Sequence, residues 1–257
     1  MLVGLGLDYG DISLRALKSI KNADFIYFEK YTSTISDKYI QFLKDEVGHD
    51  IVQINRSDLE EKSSVLVKKA VNSIVALLVP GDPLVATTHH ILIESAYKAG
   101  VAVEVYHSSS ILSAAIGESG LDIYKFGPTT TIPFWKDNYK PISFIDTINK
   151  NVINGNHTMV LMDYDQSTGA TVQLSEAIER LLFSEKERGY KIFNERRIMA
   201  MFDIGKPTCS ITMASTAELL DVYAKAVKRG MLTIIVPGKM SFAEEELSSR
   251  FLQDVRK

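Results

Sequence analysis

Short apolar segments rich in valine and isoleucine alternate with amphipathic segments along the first part of the chain. This alternation predicts an α/β fold in which a parallel sheet carries helices on its faces. The predicted strands cover residues 2–7, 25–29, 51–54, 74–79 and 101–105. The predicted helices cover residues 11–21, 36–44, 63–70, 89–98 and 111–117.

The pattern changes after Gly127 and Pro128, where a threonine-rich stretch predicts a linker or a new edge strand. We therefore expect an N-terminal α/β domain of residues 1–126 and a C-terminal mixed α/β domain of residues 127–257. The predicted helices of the second domain cover residues 144–152, 174–188, 216–228 and 243–255. Its predicted strands cover residues 158–162, 198–202, 210–214 and 232–236.

One loop stands out because it follows the most apolar predicted strand and holds two prolines, a glycine and an aspartate within four residues, 80–83. Proline ends the strand, and glycine permits backbone angles that other residues avoid. Thr87 or Thr88 is a candidate cap for the following helix. A loop at the carboxyl end of a parallel strand is where α/β proteins bind ligands, so we expect a ligand loop; the alternative is a structural turn.

Composition narrows the function classes. The chain has 257 residues, a net charge of −3 and no basic tract, which argues against binding to nucleic acid. Its one cysteine, Cys209, excludes an intramolecular disulfide and a cysteine-based zinc cluster. No apolar run reaches the length of a membrane span, and the first residues lack the features of a secretory signal. We therefore expect a cytoplasmic protein that binds no membrane.

Several candidate motifs are incomplete. Gly4 and Gly6 begin a dinucleotide fingerprint in which Tyr9 replaces the third glycine, and Glu29 is a candidate ribose ligand. A tight turn is the alternative explanation of the two glycines. The adjacent His89 and His90 point in different directions on a helix, so we expect no metal site and interpret a histidine here as a local hydrogen-bonding group. No spacing identifies a catalytic residue.

Several stretches, in chain order, carry a resemblance to one family. They are residues 4–7, 29–33, 80–89, His107, 110–111, 113–114, 120–121, 124–127, 157–158 and 235–239. In these stretches the chain resembles the diphthine synthases, including the eukaryotic diphthine methyl ester synthases. The Gly-Asp-Pro block at 81–83 and the Tyr-Lys-Phe-Gly block at 124–127 are together quite specific.

The resemblance implies a two-domain fold of the tetrapyrrole methylase type, a homodimer, and S-adenosylmethionine bound in the cleft between the domains. The family's cofactor contacts match Leu7, Asp82, Val85, Ser110, Ile111 and Met162, with less secure matches at Gly205 and Leu232. The segment 206–215 departs from the family, because it contains Cys209 and lacks an Asn-Pro pair, so contacts there are in doubt.

The resemblance also implies a substrate, the aminocarboxypropyl-modified histidine of elongation factor 2, whose amine is methylated repeatedly with S-adenosylhomocysteine as by-product. The eukaryotic form of the family adds a fourth methyl group to the carboxylate. The chain looks like that form at residues 132–135, Pro141, Ser143, Phe144, Asp146, Asn151, Gly155, His157 and Thr158. Trp135 is then a candidate pocket wall; the alternative is core packing. Other hypotheses are a same-fold methylase of a porphyrinoid or another small molecule, a nucleotide-binding oxidoreductase, and a non-catalytic partner of the factor.

Overall fold

The computed structural model describes residues 1–29, 35–55, 63–165, 168–223 and 230–252. The described chain divides into two compact units, residues 1–111 with 168–169 and residues 112–165 with 170–252. None of the described helices is long and apolar enough to cross a lipid bilayer.

The division falls upstream of the boundary expected between residues 126 and 127, because segment 112–126 packs with the second unit. The backbone N–H of Asp122 donates to Oε1 of Glu244 at 3.0 Å. A Cβ built on Gly120 would lie 3.1 Å from Cβ of Leu247. The Gly-Pro sequence signal at 127–128 therefore lies inside the second unit and not at its edge.

The first unit is a five-stranded sheet with strand order β3-β2-β4-β1-β5, in which every neighbouring pair is parallel. Its strands are β1 (Leu2–Gly4), β2 (Phe25–Glu29), β3 (Ile51–Ile54), β4 (Val75–Val79) and β5 (Val105–Tyr106). Its helices are α1 (Leu14–Ile20), α2 (Asp37–Val47), α3 (Ser63–Ala70) and α4 (His90–Lys98), and α5 (Ile111–Ser119) begins at its last residue.

The central strand β4 has side chains buried on both faces of the sheet. Ala76 and Leu78 belong to the apolar cluster that includes residues of α1 and α2. Leu77 and Val79 belong to a separate cluster that includes Leu92 of α4. A strand covered on both faces reads as a continuous apolar run, which is why the sequence identified this strand.

Several element boundaries in this unit differ from the sequence predictions, and three of the differences lie near the loops at the sheet end. Strand β1 ends at Gly4, since the chain bends into the left-handed region at Gly6 (φ +75°). Strand β5 is paired only at Val105 and Tyr106, shorter than the predicted 101–105. Helix α4 begins at His90 without a threonine side-chain cap; Thr87 Oγ1 instead accepts the N–H of His89 at 3.3 Å.

The second unit has a mixed sheet of order β11-β10-β12-β7-β6, antiparallel except for the β6–β7 pair. Its strands are β6 (Thr130–Ile132), β7 (Thr158–Met162), β10 (Arg197–Phe202), β11 (Ser210–Ser215) and β12 (Leu232–Val236), and β8 (Tyr164–Asp165) with β9 (Ala170–Thr171) forms a small hairpin that the sequence did not predict. Its helices are α6 (Ser143–Ile153), α7 (Leu174–Arg188), α8 (Thr216–Tyr223) and α9 (Phe242–Ser249). The remainder of the helix predicted at 216–228 lies outside the described residues. The helix predicted at 243–255 ends earlier, at Ser249, and the chain then turns so that Leu252 bridges to Met213; residues 253–255 lie outside the described residues.

A buried polar cluster around Glu244 joins four segments of the second unit. Oε1 of Glu244 faces Nε2 of His157 at 2.9 Å, and Oε2 pairs with Nζ of Lys125. Nδ1 of His157 accepts the N–H of Gly238 at 2.9 Å, so the ring proton lies on Nε2 and points at the carboxylate. Glu244 also completes a capping box with Ser241 at the start of α9. Three of the sequence stretches that resemble the family, 124–127, 157–158 and 235–239, therefore meet in a structural cluster.

The ionisation of this cluster is set by its surroundings. Burial alone would raise the pKa of the Glu244 carboxyl, but hydrogen bonds from Lys125, from the Ser241 and Asp122 amides and from His157 hold that pKa well below its usual range. Burial lowers the pKa of His157, more strongly than the facing carboxylate of Glu244 raises it. The native cluster therefore contains a carboxylate and a neutral imidazole.

We predict that this cluster makes stability fall in mild acid. A folded-state pKa of His157 below its unfolded value near 6.5 means that the unfolded chain binds the proton more tightly. The contribution of His157 is complete above about pH 6.5 and is lost as pH falls toward the folded pKa, with a slope of at most about 1.4 kcal/mol per pH unit. The measurement is urea unfolding between pH 7.5 and 5 for wild type and for His157→Gln, whose side chain does not titrate.

The expected result is a shallower pH dependence in His157→Gln, and parallel curves would contradict the prediction.

Glu244→Gln should lower the free energy of unfolding at pH 7.5 by about 2 kcal/mol, because it weakens a buried network of charge-assisted hydrogen bonds. Glu246→Gln is the matched control, since Glu246 lies exposed on the same helix.

Candidate functional site

The loops after β1 and β4 are joined by backbone hydrogen bonds at the carboxyl end of the first sheet. The N–H of Gly81 donates to the carbonyl of Gly6 at 2.8 Å, and the N–H of Gly6 donates to the carbonyl of Gly81 at 3.1 Å. A Cβ on Gly4 would lie 2.7 Å from the Gly81 oxygen, closer than side-chain atoms tolerate. The glycines of the apparent dinucleotide fingerprint therefore serve this close approach of two strands.

Asp82 fastens the Gly-Asp-Pro loop to the segment that follows β5. Its Oδ1 accepts the N–H of Leu84 at 2.9 Å, and its Oδ2 faces Nδ1 of His107 at 2.8 Å and the N–H of Ser108 at 3.3 Å. The residue is 6% exposed. The carboxylate therefore has an internal role, because it fixes the path of the loop; the predicted contact of Asp82 with a cofactor stays a prediction.

Asp11 plays the same part beside Leu7. Its Oδ2 accepts the N–H groups of Leu7 at 2.9 Å and Asp8 at 3.1 Å, and also the Ser109 hydroxyl at 3.0 Å. Asp11 does not cap helix α1, because the Ser13 hydroxyl fills that role by accepting the N–H of Ala16 at 3.1 Å. The spacing of Asp11 four residues after Leu7 carries no recognisable signal, so sequence reasoning missed this brace.

A buried acid and histidine lie directly behind the ligand loop. Nε2 of His89 faces Oε2 of Glu29 at 3.0 Å, and both side chains are at most 1% exposed. Nδ1 of His89 lies 2.9 Å from the carbonyl oxygen of Pro83. Glu29 therefore does not lie where a ribose could reach it, which contradicts its suggested dinucleotide role. His89 is the local hydrogen-bonding histidine that the sequence favoured.

Backbone strain is concentrated in this loop. Ala86 has φ of +55°, in the left-handed region that non-glycine residues rarely adopt, and it directly follows Val85. Gly81 has φ of +71°, and a Cβ built there would meet only the Ser109 carbonyl oxygen, at 3.9 Å. A strained, open loop held by buried braces is typical of a ligand-binding segment. Residues 30–33 of the family resemblance lie outside the described residues.

The second unit gathers its predicted contacts at one end of its sheet. Met162 ends β7, Leu232 begins the antiparallel β12, and the two belong to the same buried cluster. Gly205 follows the end of β10, whose Phe202 pairs with Leu232. The Val-Pro-Gly segment at 236–238 follows the other end of β12, so it does not share a sheet edge with these contacts.

Asp203 holds this end of the second sheet together. It has φ of +51°, and its Oδ1 accepts the N–H of Met231 at 3.1 Å while its Oδ2 accepts the Thr208 hydroxyl at 3.0 Å. A Cβ on Gly230 would lie 2.7 Å from Oδ2 of Asp203. Asp203 therefore braces the turn containing Gly205 against the start of β12.

The eight predicted contacts thus fall into two groups. Leu7, Asp82, Val85, Ser110 and Ile111 lie in loops and helix starts at the carboxyl end of the first sheet, while Met162, Gly205 and Leu232 lie at one end of the second sheet. Among the described residues, no group of three histidine, cysteine, aspartate or glutamate side chains could hold a metal ion. Burial raises the pKa of Cys209 to about 11, which suppresses its thiolate at neutral pH.

Comparison with known proteins defines the class. The tetrapyrrole (corrin/porphyrin) methylases match residues 1–238. The chain therefore belongs to the tetrapyrrole methylase family and is an S-adenosylmethionine-dependent methyltransferase.

Within this class the similar proteins are diphthine synthases. The diphthine synthase of Methanosphaera stadtmanae is 34% identical over 245 residues, covering 95% of this chain and 92% of that protein. The diphthine methyl ester synthase of Homo sapiens is 36% identical over 201 residues, covering 78% of this chain and 66% of that protein. A crystal structure of diphthine synthase has a TM-score of 0.84 at 27% identity, covering 98% of this chain and 94% of that one.

We predict that Asp82→Asn weakens both the fold and ligand binding, because the amide replaces one acceptor oxygen with a donor facing N–H groups. The free energy of unfolding should fall by about 1–3 kcal/mol. His107→Gln is the matched control, since the His107 side chain is largely exposed and bonds to the same oxygen. Chemical denaturation of both variants checks the prediction, and an unchanged midpoint for Asp82→Asn would contradict it.

Proposed function

We propose that this chain acts in diphthamide biosynthesis, methylating the aminocarboxypropyl-modified histidine of elongation factor 2. The observation that carries the proposal is the 34% identity to a diphthine synthase along 95% of the chain. The Gly-Asp-Pro loop, one of the stretches that resemble the diphthine synthases, supports the same family assignment. Its backbone is fixed by hydrogen bonds of Asp82, of Gly81 and of the buried His89.

The residues present are compatible with S-adenosylmethionine. In the first unit the backbone of Leu7 and Val85 and the start of α5 at Ser110 and Ile111 would hold it; the matches at Met162, Gly205 and Leu232 in the second unit stay predictions of the family resemblance. The open Cβ position of Gly81 is the observation that favours a ligand here. When bound, S-adenosylmethionine supplies a methyl group that its sulfonium already activates. The transfer therefore needs no metal and no strong nucleophile from the protein.

The contribution of the protein is then positioning and exclusion of water. A neutral amine of the substrate forms the new N–CH₃ bond, the S–CH₃ bond breaks, and S-adenosylhomocysteine leaves. The amine proton passes to water or to a carboxylate. The described carboxylates nearest the ligand loop, Asp82, Asp11 and Glu29, are engaged with protein groups, so we assign none of them as the base.

We further propose four transfers: three onto the amine and a fourth onto the carboxylate. The carboxylate is ionised at neutral pH and needs no base, and removal of water raises its nucleophilicity. Of the residues that resemble the eukaryotic form, Asn151 bonds to Pro128 and Thr158, and Asp146 bonds to Arg188 and Tyr190. Those two residues therefore have structural roles, and we take the half-buried Phe134–Trp135 pair as the candidate for a role toward substrate.

A second candidate function, methylation of a porphyrinoid, is favoured by the family match alone. We also propose that the chain forms a homodimer and acts in the cytoplasm. Sedimentation of the purified chain tests the dimer.

The decisive experiment offers purified elongation factor 2 carrying the unmethylated precursor, with a porphyrinoid as the competing substrate. The expected product is four methyl groups heavier by mass spectrometry and loses one on mild alkaline hydrolysis. A product three groups heavier and stable to alkali would contradict the fourth transfer. Methylation of the porphyrinoid alone would overturn the protein substrate.

We predict that Gly81→Val abolishes cofactor binding beyond its effect on folding, since a side chain would enter the open space of the ligand loop. Gly48→Val is the matched control, because Gly48 has φ of +75° and equally open surroundings at the end of α2. Both variants should lose about 1–2 kcal/mol of stability from left-handed strain. Calorimetry should show weaker S-adenosylmethionine binding for Gly81→Val only; equal affinities would show that the loop is a structural turn.

A further inference from the structure

Two aromatic residues, Phe134 and Trp135, follow β6 at the sheet end where the second unit gathers its predicted cofactor contacts. β6 pairs in parallel with β7, and Ile132 lies opposite Met162. The N–H of Phe134 donates to Oδ2 of Asp163 at 3.1 Å, the residue directly after Met162. The aromatic pair is therefore tied by a hydrogen bond to the strand end that carries a predicted cofactor contact.

The ring of Trp135 is held in place and only half-buried. Its Nε1–H donates to the carbonyl of Pro141 at 3.1 Å. The ring of Phe183 meets it edge-on, with centroids 5.2 Å apart and planes at 73°. Trp135 therefore packs at the edge of the second unit and not within its buried cluster, and its neighbour Phe183 is 42% exposed.

Two cations of the chain already lie against this ring, and they differ in how firmly they are held. Arg180 is buried, with Cζ 5.5 Å from the Trp135 centroid, and its Nη1 donates to the Pro133 carbonyl at 2.8 Å. Lys140 is exposed, with Nζ 5.7 Å from the same centroid. Within the part of the chain that the structure describes, Lys140 makes no ion pair. Lys140 is therefore the exchangeable cation of the two.

We propose that Trp135, with Phe134 beside it, forms a subsite for the quaternary ammonium group of a betaine, and that Lys140 occupies the subsite when no ligand is bound. This proposal rests on the proposed function, whose trimethylated intermediate carries such a group next to a carboxylate. Aromatic faces bind quaternary ammonium groups because the ring quadrupole attracts a cation that carries little hydration.

The charge of Arg180 selects the ligand class. The buried guanidinium and the exposed Lys140 ammonium both lie against the ring, and the only carboxylate paired with them among the described residues, Glu176, lies 3.6 Å from Arg180 and is half-exposed, so the positive charge here is only partly offset. A betaine that replaces the Lys140 ammonium brings its own carboxylate, which offsets this excess charge. The subsite therefore favours a zwitterion over a simple tetraalkylammonium ion, and a trimethylated amine over a free one.

Trp135 is the only tryptophan of the chain, so its fluorescence reports the subsite directly. The full chain is titrated with the N,N,N-trimethyl betaine of 2-aminobutyrate, with unmethylated 2-aminobutyrate and with tetramethylammonium at constant ionic strength. The expected result is a saturable fluorescence change with the betaine alone. A betaine response no larger than that of 2-aminobutyrate, or a larger one with tetramethylammonium, would overturn the proposal.

Two lysine variants test the exchange. Lys140→Gln should tighten betaine binding by about threefold, since it removes the competing cation from the ring. Lys136→Gln is the matched control: it removes the same charge from the same loop, where the Lys136 backbone rather than its side chain bonds to Tyr139. Equal betaine affinity in the two variants would contradict the exchange.

A third measurement does not depend on fluorescence. Saturation transfer to the betaine methyl protons should be seen with wild type and lost in Phe134→Leu and Trp135→Leu, provided that circular dichroism shows each variant folded. Retained transfer in both folded variants would overturn the subsite. None of these titrations uses elongation factor 2 or S-adenosylmethionine, so their failure is separable from failure of methyl transfer.

Discussion

The close approach of two strand ends in the first unit is the constraint on which its candidate site depends. Gly6 and Gly81 exchange backbone hydrogen bonds, and a Cβ at Gly4 would collide with this contact. The approach leaves the loop after β4 in a strained path through Ala86. Such a path persists only where neighbouring contacts fix it, and here Asp82 and the buried Glu29–His89 pair do so.

The described carboxylates near the predicted cofactor contacts mostly accept backbone N–H groups of the protein. Asp11, Asp82 and Asp203 each accept an amide N–H at or beside a predicted contact, and Asp163, which follows Met162, accepts the N–H of Phe134. Carboxylates that are bonded to backbone amides are suited to a methyl transfer in which the leaving group is already activated before it binds to the protein. A site with a weak leaving group needs free acids and bases, whereas methyl transfer from a sulfonium needs fixed geometry, which amide–carboxylate bonds provide.

The sequence predicted the architecture well, because buried parallel strands and amphipathic helices have clear periods. It located β4 and the loop after it, since Val-Pro-Gly ends an apolar run whose alternate side chains pack on opposite faces. It missed the β8–β9 hairpin, which is too short to show a period. It also placed the unit boundary at 126 rather than 111, because the contacts of Asp122 with Glu244 join residues far apart in sequence.

The stretches that resemble the family separate into two physical roles that a sequence cannot distinguish. Residues 80–89 and His107 build the loop after β4, whereas Lys125, His157 and Gly238 meet in the buried polar cluster at Glu244. Both roles demand fixed residue types, the first for the shape of a loop and the second for a satisfied buried network. Phe134 and Trp135 combine two kinds of surroundings: Phe134 packs against the buried cluster of the second unit, whereas the half-buried ring of Trp135 has the exposed Lys140 against it. An aromatic pair that is anchored to the core at one residue and reaches solvent at the other, at the sheet end of Met162, presents a ring face that a substrate can contact.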